Sequence, residues 1–400
     1  MDENATKRRK FTSLVAGNNA FATNLYQKIR STTPSFENIF FSPFSISIAI
    51  AMAYSGARGD TREEIENAMQ FTLGQPDTEE YFKMLTKYLI DGAAARGITL
   101  AIANGLWVQE SYPILEEFIN TVTKSYAGEV ESLDFKQKAV VSDTVNAWVS
   151  NNTNGRIDEI MNPDYISDST KLILTNAIYF LGKWVEQFDP KDTKPMPFYL
   201  DNGSQVETMM MYQVEKLEYA ECEQFQVLEM GYQKVSTGTN SWDGKDYDMS
   251  MLLFLPRDGS TIADLEGWMT PEFITQWVEA LRPELVKVYL PRFTMTCSYE
   301  LKPILAQLGM KKAFTLSGAD FTGISTQPGF FIEAVAHKAF VKVDEEGTEA
   351  AAVTMIMSAP TGPPPQIFEF KADHSFLFLI RDKKTKTILF LGRTCNPPKE

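Results

Sequence analysis

Residues 331–370 constrain the fold of this chain more than any other stretch, because they read as one strand followed by a second strand with no evident partner. Val335, His337, Ala339, Val341 and Val343 alternate with Lys338, Phe340 and Lys342, the period of two of a half-buried β-strand. Asp344-Glu345-Glu346-Gly347 then signals a turn. The nineteen residues from Ala350 to Phe368 that follow carry no charge. From Thr348 the period is again two: Thr348, Ala350, Ala352, Thr354, Ile356 and Ser358 fall on one face, and Glu349, Ala351, Val353, Met355 and Met357 on the other. The first set is small just after the turn, so it can slide between two existing strands where a bulky residue would clash. Pro363, Pro364 and Pro365 exclude helix and hold the chain extended. This composition fits a strand tethered at both ends, and it equally fits a disordered surface loop.

The remaining chain narrows the function by exclusion. No GxSxG, HExxH, Walker or GxGxxG pattern occurs, and adjacent carboxylates such as Glu63-Glu64 do not face each other in a regular element. An enzyme is therefore not expected, and hydrolase assays would decide the point. A net charge of −14 argues against nucleic acid and anionic membranes as partners. Cys222, Cys297 and Cys395 are odd in number and far apart, and with only two histidines, His337 and His374, no metal site or other cofactor is expected. No apolar run reaches the length of a membrane span, and no apolar signal core follows the N-terminal charges. The expectation is a secreted protein whose signal has been removed, with a cytoplasmic protein as the alternative. Sequons at Asn4, Asn151 and Asn202 would matter only in a eukaryotic secretory route.

No linker or repeat divides the chain, and a 44% hydrophobic composition over 400 residues can bury a large core. Residues 1–15, with the basic run Lys7-Arg8-Arg9-Lys10, are expected to form a flexible tail ahead of a single domain spanning 16–400. Phe21, Leu25 and Ile29 mark an amphipathic helix within 13–30, and 45–57 reads as a buried helix begun after Pro43. Thr61-Arg62-Glu63-Glu64 has the form of a capping box. Residues 98–108 read as a strand interrupted at Asn104-Gly105, 112–126 as a helix, and 145–157 as a helix stopped by Asn154-Gly155. Buried strands are expected at 171–180, 249–255, 286–295, 375–380 and 387–391. Early helices with long later strands predict an α+β fold rather than alternating βαβ units.

Several segments, in order along the chain, resemble the serpins. Glu345-Glu346-Gly347-Thr348-Glu349-Ala350-Ala351-Ala352 is similar to the hinge of the reactive-centre loop of inhibitory serpins. Asn38-Ile39-Phe40-Phe41-Ser42-Pro43-Phe44-Ser45 resembles the shutter segment, and 174–184 resembles the third strand of the main sheet. Ala372-Asp373-His374-Ser375-Phe376-Leu377-Phe378, Phe390-Leu391-Gly392-Arg393 and Asn396-Pro397 resemble the C-terminal signature, with Ser375 where a proline is common. The resemblance implies three β-sheets, about nine helices, an exposed loop over about 345–367, and the 145–157 helix lying across the main sheet.

The resemblance also implies particular roles. His337 would be the shutter histidine, bonded to Asn176 near Ser42 and Ser45, and Trp184, Phe340 and an Arg292–Glu345 ion pair would mark the breach where the loop enters. From residues alone, His337, Trp184 and Phe340 could equally be core packing, and Arg292 and Glu345 solvated charges worth at most ~1 kcal/mol. The implied function is suicide inhibition of a serine, or a cysteine, protease; a serpin-fold carrier or chaperone is the alternative. The small hinge residues favour inhibition. The family's count from Gly347 places the reactive bond at Thr361-Gly362, with Met357-Ser358 and Met355-Ile356 as alternatives. A small β-branched Thr361 suits the shallow pocket of an elastase-like protease. A monomer is expected, and with only Lys83 and Lys87 between Tyr81 and Asp91, no heparin dependence.

Overall fold

The computed structural model describes residues 3–95, 97–232, 249–346 and 366–398. The chain opens with helix α1 (Glu3–Thr32), which buries Leu14, Val15, Phe21, Leu25, Tyr26 and Ile29 along one face. The expected flexible tail is thus replaced, from Glu3 onward, by the first turns of this helix. Leu14 and Val15 already belong to the core, and Lys10 Nζ donates to Asp77 Oδ1 at 2.8 Å. Strand β1 (Ile39–Phe41) leads into α2 (Pro43–Gly56), in which every residue except Ser55 is buried. Pro43 occupies the first turn, where its missing N–H costs nothing, and Ser42 Oγ caps the helix by accepting from the Ser45 N–H.

Helices α3 (Gly59–Met69) and α4 (Gln75–Ala94) follow. The expected capping box at Thr61 is absent, because Thr61 lies inside α3 and its Oγ1 accepts from the Asp320 N–H at 2.9 Å. Strand β2 (Thr99–Gln109) runs without interruption through Asn104-Gly105. A Cβ at Gly105 would lie 2.6 Å from the Trp107 ring, so glycine here permits close packing within the strand. Then come α5 (Glu116–Tyr126), β3 (Glu129–Leu133) and α6 (Lys138–Asn152), the last followed by left-handed Asn154 and Gly155 as the sequence predicts.

Strands β4 (Leu172–Leu181), β5 (Lys194–Tyr199), β6 (Gln205–Glu221), β7 (Phe225–Gly231) and β8 (Met249–Pro256) precede helices α7 (Ile262–Trp268) and α8 (Pro271–Ala280). The single strand expected over 286–295 is two, β9 (Arg282–Pro291) and β10 (Phe293–Glu300), because the chain changes sheets at Arg292. Helix α9 (Lys302–Gln307), β11 (Ile332–Val343), β12 (Ile367–Lys371), β13 (Phe376–Asp382) and β14 (Ile388–Thr394) complete the described residues.

The fold is α+β, with nine α-helices among the described residues. Five strands form one sheet in the order β10-β11-β4-β2-β3. The other nine follow the path β1-β14-β13-β8-β7-β6-β9-β12, with β5 on β6, so two of the three expected sheets are continuous through the long strand β6. The main core joins the inner face of the five-stranded sheet to α1, α2 and the nine-stranded sheet. A second apolar layer covers the opposite face, where Val141, Val145 and Val149 of α6 pack with Ile173, Ala177, Tyr179, Ala334, Ala336 and Phe340. That layer makes β11 buried on both faces apart from its lysines and Glu333, rather than half-buried.

Candidate functional site

The five-stranded sheet has an unusual seam at its centre. β11 is antiparallel to β10, and β4 is antiparallel to β2, but β11 and β4 run parallel from Ile332↔Leu172 to Val341↔Phe180. Parallel pairing has slanted hydrogen bonds and is slightly less stable per residue. A strand entering this seam from the C-terminal ends of β11 and β4 would be antiparallel to both. The chain takes that direction if it folds back after Val343.

The seam is held at its middle by a buried polar network. His337 and Asn176 are direct register partners, and His337 Nδ1 donates to Asn176 Oδ1 at 2.6 Å. The tautomer follows from the other nitrogen, because Nε2 accepts the Ser42 N–H at 3.2 Å and so carries no proton. Asn176 Nδ2 donates to Asn104 Oδ1 on β2 at 2.5 Å and to Ser45 Oγ in α2. Ser42 Oγ donates to the Leu389 carbonyl of β14 at 2.6 Å. His337 is fully buried, and burial pushes its imidazole down to about 3, so it is neutral at physiological pH. Its ring also stacks on Tyr299, whose hydroxyl accepts the Phe40 N–H.

At the open end of the seam a second group holds the turn after β11. Trp184 is buried, stacks on Tyr232 with ring centres 4.6 Å apart, and donates its indole N–H to the Asp344 carbonyl at 3.0 Å. The backbone N–H groups of Trp184 and Phe188 donate to the carbonyls of Glu346 and Glu345. Arg292 grips Glu345 with two bonds, Nε to Oε2 at 3.1 Å and Nη2 to Oε1 at 2.5 Å. The Glu345 side chain is only 4% exposed and the Arg292 side chain 29%, so the carboxylate is buried while the guanidinium reaches partly to solvent. Burial opposes ionisation of Glu345, but the bonds to its carboxylate, those from Arg292 foremost, together outweigh it and hold the carboxyl below its ordinary range.

The structure therefore brings together Ser42, Ser45, Asn176 and His337 in one cluster, and Trp184, Arg292, Glu345 and Glu346 in another. Phe340 lies apart from both, in the layer under α6. Hinge residues Gly347, Thr348, Glu349, Ala350, Ala351 and Ala352 and the candidate bond Thr361-Gly362 lie outside the described residues. Sequence reasoning missed Asn104 and Tyr299. An Asn-Gly pair inside an otherwise apolar run was the signal for the first, since a buried asparagine needs a polar partner.

Comparison with known proteins fits this geometry. Residues 16–397 match the family model described as serpin (serine protease inhibitor). The chain belongs to the serpin family. It is 38% identical to an uncharacterized serpin-like protein of Thermococcus kodakarensis over 95% of this chain and 84% of that protein. It is 36% identical to the leukocyte elastase inhibitor of Xenopus tropicalis, covering 94% of this serpin and 97% of the relative. A solved structure of human thyroxine-binding globulin complexed with thyroxine superposes with a TM-score of 0.86 at 29% identity, covering 98% of this chain and all of the other. Its similar proteins thus include both an inhibitor and a hormone-binding member.

Proposed function

We propose that this serpin inhibits serine proteases as a suicide substrate. The protease attacks the bond after Thr361, forming an acyl-enzyme on the Thr361 carbonyl as Gly362 leaves as the new amine terminus. The freed segment Thr348–Thr361 then enters between β11 and β4, carrying the protease on the order of 45 Å at ~3.3 Å per residue. The observation that carries this reading is the parallel seam. A chain turning back from β11 supplies a strand antiparallel to both neighbours, and the small side chains of Thr348, Ala350 and Ala352 can pass first. The Arg292–Glu345 pair fixes where that turn begins.

Thr361 favours an elastase-like target. Incubation with a panel of serine proteases, followed by denaturing electrophoresis, tests the reading. The expected result is a covalent complex with an elastase-like enzyme and a released C-terminal fragment beginning at Gly362. Similarity to thyroxine-binding globulin supports a carrier as the second reading. Cleavage or inertness across the panel without any covalent complex would favour that carrier and overturn inhibition.

A further inference from the structure

The second histidine of the chain occupies a site with different chemistry. His374 lies in the short connection between β12 and β13, immediately after the strand that receives the C-terminal end of the 347–365 segment. Its Nδ1 is 2.9 Å from Asp373 Oδ1, and its Nε2 is 2.9 Å from the carbonyl oxygen of Pro256, the last residue of β8. Both partners are acceptors. A neutral imidazole has one N–H and can satisfy only one of them, whereas an imidazolium donates to both. Asp373 is ionised in this setting: burial opposes its charge, but the bonds from His374 and Lys371 outweigh that and hold the carboxyl below its usual range.

We propose that His374, as an imidazolium, is a clasp that positions the C-terminal foot of the reactive loop. The foot strand is itself held by Gln226 Nε2, which donates to the Glu369 carbonyl at 2.7 Å, by Lys287 paired with Glu369, and by Phe368 packed on Tyr219; the connection after it is what His374 ties down. β12 is an edge strand of five residues paired only with β9. Beyond it, the Asp373 carbonyl accepts the Tyr199 N–H at 2.7 Å, and Ser375 Oγ donates to Asp201 Oδ1 at 2.7 Å. His374 is the side chain that ties this connection to β8, in the middle of the nine-stranded sheet. The clasp rests on the reading of 347–365 as a reactive loop.

The carboxylates around the ring favour the charged form, and the Lys371 ammonium, bonded to Asp373, opposes it. Asp373 touches it, Lys371 and Glu369 lie on its own segment, and Asp201 and Tyr199 approach from the β5–β6 side. β8 presents only the Pro256 carbonyl, and the following Arg257 is turned to Glu221 and the Cys222 carbonyl. Burial works against the charge, yet the bonds to Asp373 and Pro256 raise the imidazole above the ordinary histidine value. The clasp is therefore closed below that raised value and opens as pH rises through it.

Two histidines make the test direct, because nitrogen-detected imidazole spectra contain two ring systems. Between about pH 6 and about pH 8.5, one ring should titrate from the doubly protonated form, and it should vanish in His374→Gln; the His337 ring should stay neutral throughout. Hydrogen exchange of residues 367–371, corrected for intrinsic rate, should lose about tenfold protection across the same range, the worth of one hydrogen bond. His374→Arg keeps a permanent charge and more than one donor, so it should retain protection at both ends of the range. His374→Gln should show the low protection at both. A His374 ring that titrates at or below the ordinary histidine value, protection unchanged by pH, or a wild-type pH profile in His374→Arg would overturn the proposal. Failure to trap any protease would instead remove the inhibitory reading, while the ring and exchange measurements still judge the clasp.

Discussion

Protonation of His337 is the sharpest perturbation the seam offers. In the folded protein the imidazole sits at about 3 because it is fully buried, with no carboxylate among its bonded partners, whereas an unfolded histidine titrates near 6.5. The unfolded chain therefore takes up the proton first as pH falls. The contribution of the neutral ring is complete above about 6.5 and is lost progressively down to about 3. At pH 4.5 the loss is two pH intervals of about 1.36 kcal/mol, or about 2.7 kcal/mol. That is a large fraction of a domain's usual stability of about 5–15 kcal/mol. The loss falls on the bond that holds β11 to β4, so acid should loosen the seam before it unfolds the rest. Other groups titrate over the same range, so the informative quantity is a difference. In His337→Gln, the amide can donate to Asn176 and accept from Ser42 without titrating. Denaturant unfolding of the two proteins at pH 7.0 and 4.5 should show the wild type losing about 2.7 kcal/mol more than the variant. Equal losses would refute the assignment of a neutral, bond-accepting His337.

The remaining predictions concern the turn, the hinge and the reactive bond. Arg292→Met leaves the buried Glu345 carboxylate without its guanidinium and should cost about 3 kcal/mol in denaturant unfolding, with Glu345→Gln added to the same chain recovering part of it. Thr348→Arg places a charge where the loop must first enter a desolvated slot, so the protease should cleave the variant as a substrate without forming a covalent complex. Undiminished trapping would refute that hinge assignment. Cleavage of the loop should raise the melting temperature, because the cut segment can complete the sheet; an equal or lower value would count against insertion. Thr361→Arg should shift inhibition toward trypsin-like enzymes, and a fragment starting anywhere but Gly362 in the wild-type complex would move the bond.

Local pattern was a good guide where a residue's environment is set by its own element. The alternation around His337 pointed its valines inward, and all of them face the main core. Asn154-Gly155 stops α6 because left-handed backbone is a property of those two residues. The pattern failed where a distant partner decides. The polar first turns of α1 show little apolar stripe, and Lys10 is tied to Asp77, 67 positions away. Thr61 has the sequence of a cap, yet its hydroxyl serves Asp320, 259 positions away. Arg393 is quoted in a signature, but nothing local shows that it is buried against Glu266 at 2.8 Å and the carbonyls of Pro34 and Glu37.

The two histidines carry this lesson into function. Both lie beside apolar strands in the sequence, and neither neighbourhood foretells its proton. His337 faces one backbone N–H and one amide oxygen, a donor and an acceptor, which is the pattern of a neutral ring. His374 faces a carboxylate and a carbonyl, two acceptors, which is the pattern of a charged one. Falling pH therefore weakens the seam, and rising pH weakens the foot; on the proposed inhibitory mechanism these are where the loop enters and where it departs. The seam and the foot are both at their firmest in the interval where His337 is neutral and His374 is charged. Inhibitor lifetime measured against pH should then peak inside that interval. Removing the acidic limb with His337→Gln and the alkaline limb with His374→Arg should broaden the peak on each side separately; a single variant that flattened both limbs would show that the two sites are not independent.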